Sequence, residues 1–374
     1  MVTNSVWAEV DLKAIESNLY EIKKMIGPGV LIMAVVKANA YGHGSVKVSE
    51  TALSCGVNYL GVARAGEGVH LRSAGIKAPI LVMGYTYPEE AVMLIKHGLT
   101  ATVSSADDAR FLSELAVSEN STVKIHIKVD SGMGRLGFPL GKSTERELES
   151  IFSLPGLNVE GIYTHFATAD ERDKNYAIKQ QEGFVNLLES LHRKGIRIPI
   201  KHAANSAALI DMGETCLDMV RAGIAMYGCY PSQEVRKDRL ILKPAMELKT
   251  RVSMVKRVKA GFKVSYGVIY EAGNDTTLAT LSVGYADGYN RLLSNNGEVL
   301  IQGKRAPIAG RICMDQCVVD IGDAGEAEVG DEVVLFGRQG DGFIPVEEVA
   351  ARVGTINYEV LCAVSDRVPR VYLY

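Results

Sequence analysis

Between Val30 and Gly228 the chain carries eight short apolar runs, each ending in a polar or glycine-rich turn. They are "VLIMAVVK" (Val30–Lys37), "NYLGVAR" (Asn58–Arg64), "PILVMG" (Pro79–Gly84), "LTATVSS" (Leu99–Ser105), "VKIHIKVD" (Val123–Asp130), "VEGIYTHFA" (Val159–Ala167), "IKHAANS" (Ile200–Ser206) and "DMVRAGIAMYG" (Asp218–Gly228). Each is short enough to be a strand buried on both faces. Most of the intervals read as helix. In "KQQEGFVNLLESLHRKG", Phe184, Leu187, Leu188 and Leu191 fall at i, i+3, i+4 and i+7, and Gly195 follows as a stop. "SSADDARFLSELAVS" offers Ser105 as N-cap, with Asp107 and Asp108 in the first turn. Strand–helix alternation repeated eight times predicts an α/β fold, a (β/α)8 TIM-type barrel. A doubly wound open sheet is the rival, and the near-even spacing favours closure.

A chain of 374 residues exceeds a usual single core, so a second domain is expected. From residue 241 the pattern changes. "ELKTRVSMVKRVKAG", "TTLATLSVGYADGY", "GEVLIQGKRAPIAGRICMDQCVVDIG" and "GDEVVLFGRQG" are alternating or β-branched runs broken by Gly, Asp and Asn. They predict a mainly antiparallel β C-terminal domain over residues 241–374, after a barrel over 1–240. The N-terminal strand is a candidate to join the β-rich part. The last helix expected is Val346–Gly354.

Net charge is -3 and there is no long basic run, which argues against nucleic acid as a partner. No apolar run reaches 18 residues, which argues against a membrane span, and the start lacks a basic-then-apolar leader. A cytoplasmic location is the expectation. The six cysteines form no C-x-x-C pair and have mostly apolar flanks, so reduced, buried thiols and no metal site are expected.

In a barrel, functional groups gather at the carboxyl ends of the strands. The first end supplies Lys37 and Tyr41; the fifth, Lys128, Asp130 and Arg135; the sixth, His165. The seventh supplies His202, Asn205 and Ser206, and the eighth Arg221, Gly223 and Ile224. Singly, each has an ordinary reading: a snorkelling lysine, a hydrogen-bonded core histidine, a structural arginine. Together, polar groups from five ends would face one mouth. A glycine beside an apolar residue at a strand end can present two N–H groups, and with the Ser206 hydroxyl these make a phosphate cup. A phosphate cup and an imine-forming lysine in one mouth describe pyridoxal 5′-phosphate.

The sequence closely resembles the alanine racemases, from "WAEVDLKAIESNL" to "TINYEVLC". "AVVKANAYGHG" is similar to the family's cofactor-lysine motif, and "HAANSAA", "RAGIAMYG", "VSYG", "GYADGY", "GRICMDQ" and "TINYE" follow in family order. Ala222 stands where the family often has proline. The resemblance implies that Lys37 carries the cofactor and serves as base on one face, with Tyr266 as the base opposite, His165 as phenol neighbour and Arg221 behind it. It implies Arg221 at the pyridine nitrogen, where a group that keeps its proton favours return of a proton to Cα and hence racemisation. Tyr41, Asn205, Ser206, Tyr358 and the amides of Gly223 and Ile224 are the implied cofactor contacts. Arg135 and Met314 are the implied substrate contacts. Asp170, Tyr285, Arg291 and Ile356 are the implied entryway.

Alternation in "IHIKVD" turns Lys128 into the barrel with Asp130, where a bare ammonium near Arg135 is unfavourable. The resemblance suggests a carbamate on Lys128, or a bound anion beside it. It also implies a head-to-tail homodimer with shared sites, alanine as substrate, and D-alanine for peptidoglycan as product. A serine or broad-specificity racemase is the nearest alternative. A decarboxylase on the same barrel and a non-catalytic cofactor carrier are the others.

Overall fold

The computed structural model describes residues 4–322 and 325–374. The chain divides into two compact units. Among the described residues, one comprises Ala14–Ala40 and Ser45–Lys243; the other comprises 4–13, Tyr41–Gly44 and those from Pro244 to Tyr374.

The first unit is a nearly closed eight-stranded parallel barrel. Its strands are Leu31–Val35, Tyr59–Val62, Ile80–Val82, Thr100–Val103, Val123–Asp130, Leu157–Tyr163, Ile200–His202 and Met219–Ala222. The first seven pair in parallel, each with the next, and Met219–Ala222 pairs in parallel with Leu31–Val35. The seventh and eighth strands form no ladder among the described residues. They are joined instead by Asp218 N–H to Lys201 O and Arg221 N–H to Ala204 O, both 3.0 Å. Met33, Tyr59, Leu81, Tyr163, Ile200 and Met219 form one interior cluster. Burying each such side chain stabilises by roughly 1.5–3 kcal/mol, which is what the apolar runs supply.

Helices cover the outside. Ala106–Ser118 is capped by Ser105, whose hydroxyl accepts from Asp108 N–H. Asn175–Arg193 buries Phe184, Leu187 and Leu191, keeps Leu188 half-buried, and is followed by Gly195 at φ 79°. Both follow the sequence pattern. Most strands are shorter than the apolar runs, because the polar residues at the carboxyl end leave the ladder and turn; Val123–Asp130 is strand throughout.

The second unit is mainly antiparallel. Its sheet runs in the order 304–307, 298–301, 332–339, 246–258, 6–11 and 370–373. The N-terminal strand Val6–Asp11 pairs antiparallel with Met246–Val258 and parallel with Arg370–Leu373. Val346–Val353 is helical and ends on Gly354 at φ 74°. It is not the last helix. Asn357–Ala363 forms another, unforeseen because its seven residues are too few to show a period. The expectation of buried thiols fails at Cys362, which this short helix leaves exposed; Cys229 and Cys317 are buried.

Candidate active site

The chain leaves the first barrel strand through a left-handed turn. Ala38, Asn39, Ala40 and Tyr41 have φ of 51°, 52°, 55° and 53°. L-residues resist this conformation by roughly 1–2 kcal/mol each, so something must hold it. Ala40 N–H bonds Val36 O at 2.9 Å. Glu67 accepts from Ala38 N–H at 2.7 Å with one oxygen, and from Ala63 N–H at 2.6 Å and Arg64 N–H at 3.2 Å with the other. Asn39 Oδ1 accepts from Ser45 N–H at 2.8 Å. Lys37, half-buried, is the residue this pinned turn presents.

Arg221 is 3% exposed and has four acceptors. Nη1 meets His202 Nδ1 at 3.2 Å. Nη2 meets Thr164 O at 2.9 Å, His165 Nδ1 at 3.1 Å and Ala203 O at 2.8 Å. No carboxylate is among them. Burial lowers its pKa to about 10, so it is still a cation at neutrality. Burial first, and the Arg221 charge among the further causes, hold His165 and His202 well below the ordinary imidazole value. The Tyr163 ring lies parallel to His202, 4.7 Å between centroids, and its hydroxyl is tied to Thr102 Oγ1 at 2.9 Å.

Lys128 is buried with its ammonium 4.6 Å from the Tyr163 ring centre and makes no hydrogen bond among the described residues. Burial, then Arg221 and Arg135, push its pKa well below the ordinary lysine value. Asp130 does not pair with it. The carboxylate instead accepts from Gly132, Gly134 and Arg135 N–H at 2.9, 3.1 and 3.1 Å, closing the loop that follows the strand.

Asn205 caps the helix Ser206–Asp211, accepting from Ala207 and Ala208 N–H at 3.1 and 3.0 Å. Ser206 Oγ accepts from Gly223 N–H at 3.0 Å and Ala225 N–H at 3.3 Å. The hydroxyl and the Gly223–Ile224 turn therefore sit together. Asp170 is half-buried, its carbonyl accepting from Ser232 Oγ at 2.5 Å.

In the second unit, Tyr41 and Tyr358 are neighbours, 6.0 Å between ring centroids, and burial raises the Tyr41 phenol. Tyr266 is 70% exposed, on a turn where Ser265, Gly267 and Val268 all have positive φ. Ser265 Oγ donates to Arg311 O at 2.6 Å and fixes that turn. Gly284 lets two motifs meet: a Cβ there would lie 2.2 Å from Met314 O. Tyr285 N–H then reaches Cys313 O at 3.1 Å. Tyr285 and Arg291 line an open groove of about 480 Å³ with Gly288, Asn290 and Ala363. Met314 and Ile356 are exposed. A larger groove of about 700 Å³, along Leu188, His192, Ile196 and Lys201, holds none of the candidate residues.

Sequence reasoning passed over Glu67, Thr102, His126, Glu160 and Tyr163. The signal for His126 was present: it precedes Lys128 by two residues and so shares its face of the strand.

Residues 10–231 match the family model of the alanine racemase N-terminal domain, and residues 245–372 that of the C-terminal domain. The chain is 50% identical to the alanine racemase of Desulforamulus reducens over 98% of its own length and 99% of that protein's. Among solved structures it is similar to alanine racemase from Clostridium difficile 630, with a TM-score of 0.96 and 44% identity, covering 100% of this chain and 97% of that one. It is also similar to alanine racemase from Bacillus anthracis with bound L-Ala-P, with a TM-score of 0.94 and 41% identity, covering 100% of this chain and 96% of that one. The chain belongs to the alanine racemase family.

Proposed function

We propose that the protein interconverts L- and D-alanine by two-base proton transfer, with pyridoxal 5′-phosphate held on Lys37. The donor set fits that group. An amine stands at the end of the first strand, a hydroxyl lies just beyond the seventh, and the eighth carries both a donor-only guanidinium and the glycine turn that meets that hydroxyl. When bound, the cofactor would withdraw electrons from the substrate and acidify its α-C–H. The observation that carries the reading is the company Arg221 keeps: two neutral imidazoles and two carbonyls, with no carboxylate to supply a proton.

Lys37 takes or returns the α-proton on one side. Tyr266 does so on the other, offered by a second copy of the chain in a head-to-tail dimer. His165, whose Nδ1 is taken up by Arg221, keeps its proton on Nε2 and can donate to a phenol oxygen. Exposure of Tyr266, Val268, Ile269, Met314 and Ile356 on the β-rich unit supports the second copy. Tyr41, Tyr358, Asn205, Ser206, Gly223 and Ile224 hold the cofactor, and Arg135 and Met314 the substrate carboxylate. Asp170, Tyr285, Arg291 and Ile356 form the approach.

Lys128 carries a carbamate or faces a bound anion. A buried amine whose proton is easily lost is the form that adds CO2, and the product would be an anion beside Arg135 and Arg221. The product D-alanine suits peptidoglycan synthesis in the cytoplasm; no helix among the described residues is long and apolar enough to cross a membrane.

The test is a chiral assay with L-alanine, L-serine and L-lysine, with and without added cofactor. D-alanine should form in the presence of cofactor, and serine and lysine should be poor substrates. Lys37→Ala and Tyr266→Phe should each be inactive, and mixed subunits should regain activity in one of two sites. No D-alanine from loaded protein would defeat the reading.

A further inference from the structure

A line of polar side chains runs through the barrel from its carboxyl end towards its amino end. Arg221 Nη1 meets His202 Nδ1 at 3.2 Å, and His202 Nε2 meets His126 Nδ1 at 2.9 Å. His126 Nε2 faces Glu160 Oε2 at 3.8 Å. The other Glu160 oxygen accepts from Lys124 Nζ at 2.8 Å, at the partly exposed end of the line. His126 and His202 are fully buried.

The ends fix the direction of every proton. A guanidinium has only donors, so His202 Nδ1 must be the bare nitrogen and its proton must sit on Nε2. That proton points at His126 Nδ1, so His126 also carries its proton on Nε2. There it faces a carboxylate, which only accepts. The opposite arrangement would set an imidazole N–H against an arginine N–H. His126, chiefly, holds the Glu160 carboxyl down to about 2, so this end does not become a donor at neutral pH.

The backbone is shaped around the line. Between the Ile125–Val159 and His126–Gly161 pairs the register slips, leaving Glu160 as the extra residue of a bulge. A Cβ on Gly161 would lie 2.6 Å from both Cε1 and Nδ1 of the His126 ring. The bulge aims the carboxylate, and the missing side chain makes room for the imidazole.

We propose that Glu160, His126 and Gly161 act as a positioning set. Through the tautomer of His202 they keep the fourth acceptor of Arg221 in place and so fix the plane of its guanidinium. The consequence for turnover rests on the function proposed above; the tautomer itself does not.

The decisive pair is His126→Asn and His126→Leu, which are nearly equal in shape. The asparagine carbonyl stands near the position of Nδ1 and can accept from His202; leucine cannot. Imidazole 15N NMR of cofactor-free protein should show His202 protonated on Nε2 in the wild type and in His126→Asn. It should show a mixed or Nδ1-protonated state in His126→Leu. Outer partners that orient a metal-bound imidazole are typically worth roughly 10- to 100-fold, and an imidazole that orients an arginine belongs at the low end of that range. Loaded His126→Leu should therefore lose about 10-fold in kcat with little change in KM, and His126→Asn should restore most of it. Glu160→Gln, which keeps shape and removes the obligate acceptor, should give a mixed His202 signal even if the leucine variant fails to fold. A wild-type His202 protonated on Nδ1 overturns the proposal, as does an unchanged tautomer in both His126→Leu and Glu160→Gln. Absent racemisation with the expected NMR pattern would defeat the proposed function and leave the positioning set standing.

Discussion

Arg221 donates through Nη2 to Nδ1 of His165 at 3.1 Å, and this single contact decides which nitrogen of that imidazole keeps the proton. The same guanidinium spans Thr164, His202 and Ala203, so one side chain ties the ends of the sixth, seventh and eighth strands together. Its planar fork is what makes four acceptors reachable at once.

Replacing Arg221 with lysine should therefore not be conservative. An ammonium cannot reach all four acceptors, and buried carbonyls left without a donor cost about 1–3 kcal/mol each. Urea unfolding of Arg221→Lys should show a loss of about 3 kcal/mol, and kcat/KM should fall by at least ~100-fold. Wild-type stability in this variant would mean that the four contacts are energetically idle.

Acid should weaken the fold before the carboxylates titrate. Burial lowers the pKa of His126, His165 and His202 in the folded chain. On unfolding each returns towards the free value of about 6.5, so below that pH the unfolded chain binds more protons and stability falls. Above it these groups add nothing to the slope. Between pH 6.5 and about 5 the slope should approach 1.4 kcal/mol per pH unit for each of His165 and His202, which are held well below the free value, with His126 adding in the same direction. Urea midpoints across that range measure it, and His202→Asn should remove part of the slope. A profile flat from neutrality to pH 5 would contradict neutral, buried imidazoles.

The left-handed turn after Lys37 stores strain that glycine would release. Ala38 is exposed, so removing its methyl group loses no packing. Ala38→Gly should raise stability by about 0.5–1 kcal/mol and, by loosening the lysine, lower kcat. Glu67→Ala should act in the other direction on stability, since three backbone N–H groups lose their acceptor. Thermal melts of the two variants would separate strain from anchoring. A lower Tm in both would show that the turn is not strained at Ala38.

Lys128 lends itself to a pH-resolved test. Its folded pKa lies below the ordinary 10.5, so the unfolded chain binds the extra proton in the window between them. The penalty of the bare amine deepens as pH falls and vanishes only above about pH 10.5. In CO2-free buffer Lys128→Met should melt above the wild type, and the gap should narrow towards pH 10. Bicarbonate should raise the wild-type Tm and leave the variant unmoved. A wild type indifferent to bicarbonate, and no less stable than the methionine variant, would exclude the carbamate.

Much of this was legible in the chain itself. The eight apolar runs became eight barrel strands, because runs of that length can be buried on both faces only in a covered parallel sheet. Lys37, His165, Ser206, Arg221 and Gly223 lie at or just beyond strand ends, where the alternation placed them. Other features depended on three-dimensional facts with no linear trace. Four consecutive left-handed residues, three of them alanine or tyrosine, contradict local preference and exist because Glu67 and Asn39 hold them. Alternation sets Asp130 on the same face as Lys128, yet its carboxylate serves the amides of its own loop. The slipped register at Glu160 is invisible to a period-two reading, which assumes that no residue is skipped.

The junction between the seventh and eighth barrel strands has one further implication. It lacks a ladder and relies on a few backbone links, with the Arg221 side chain reaching across to Ala203. The least-riveted edge of the cylinder is thus fastened by the residue that would steady the cofactor. Whatever occupies that end acts as a clasp, and its departure should be felt first as faster amide exchange at Lys201, Asp218 and Arg221, far sooner than in the ladders opposite.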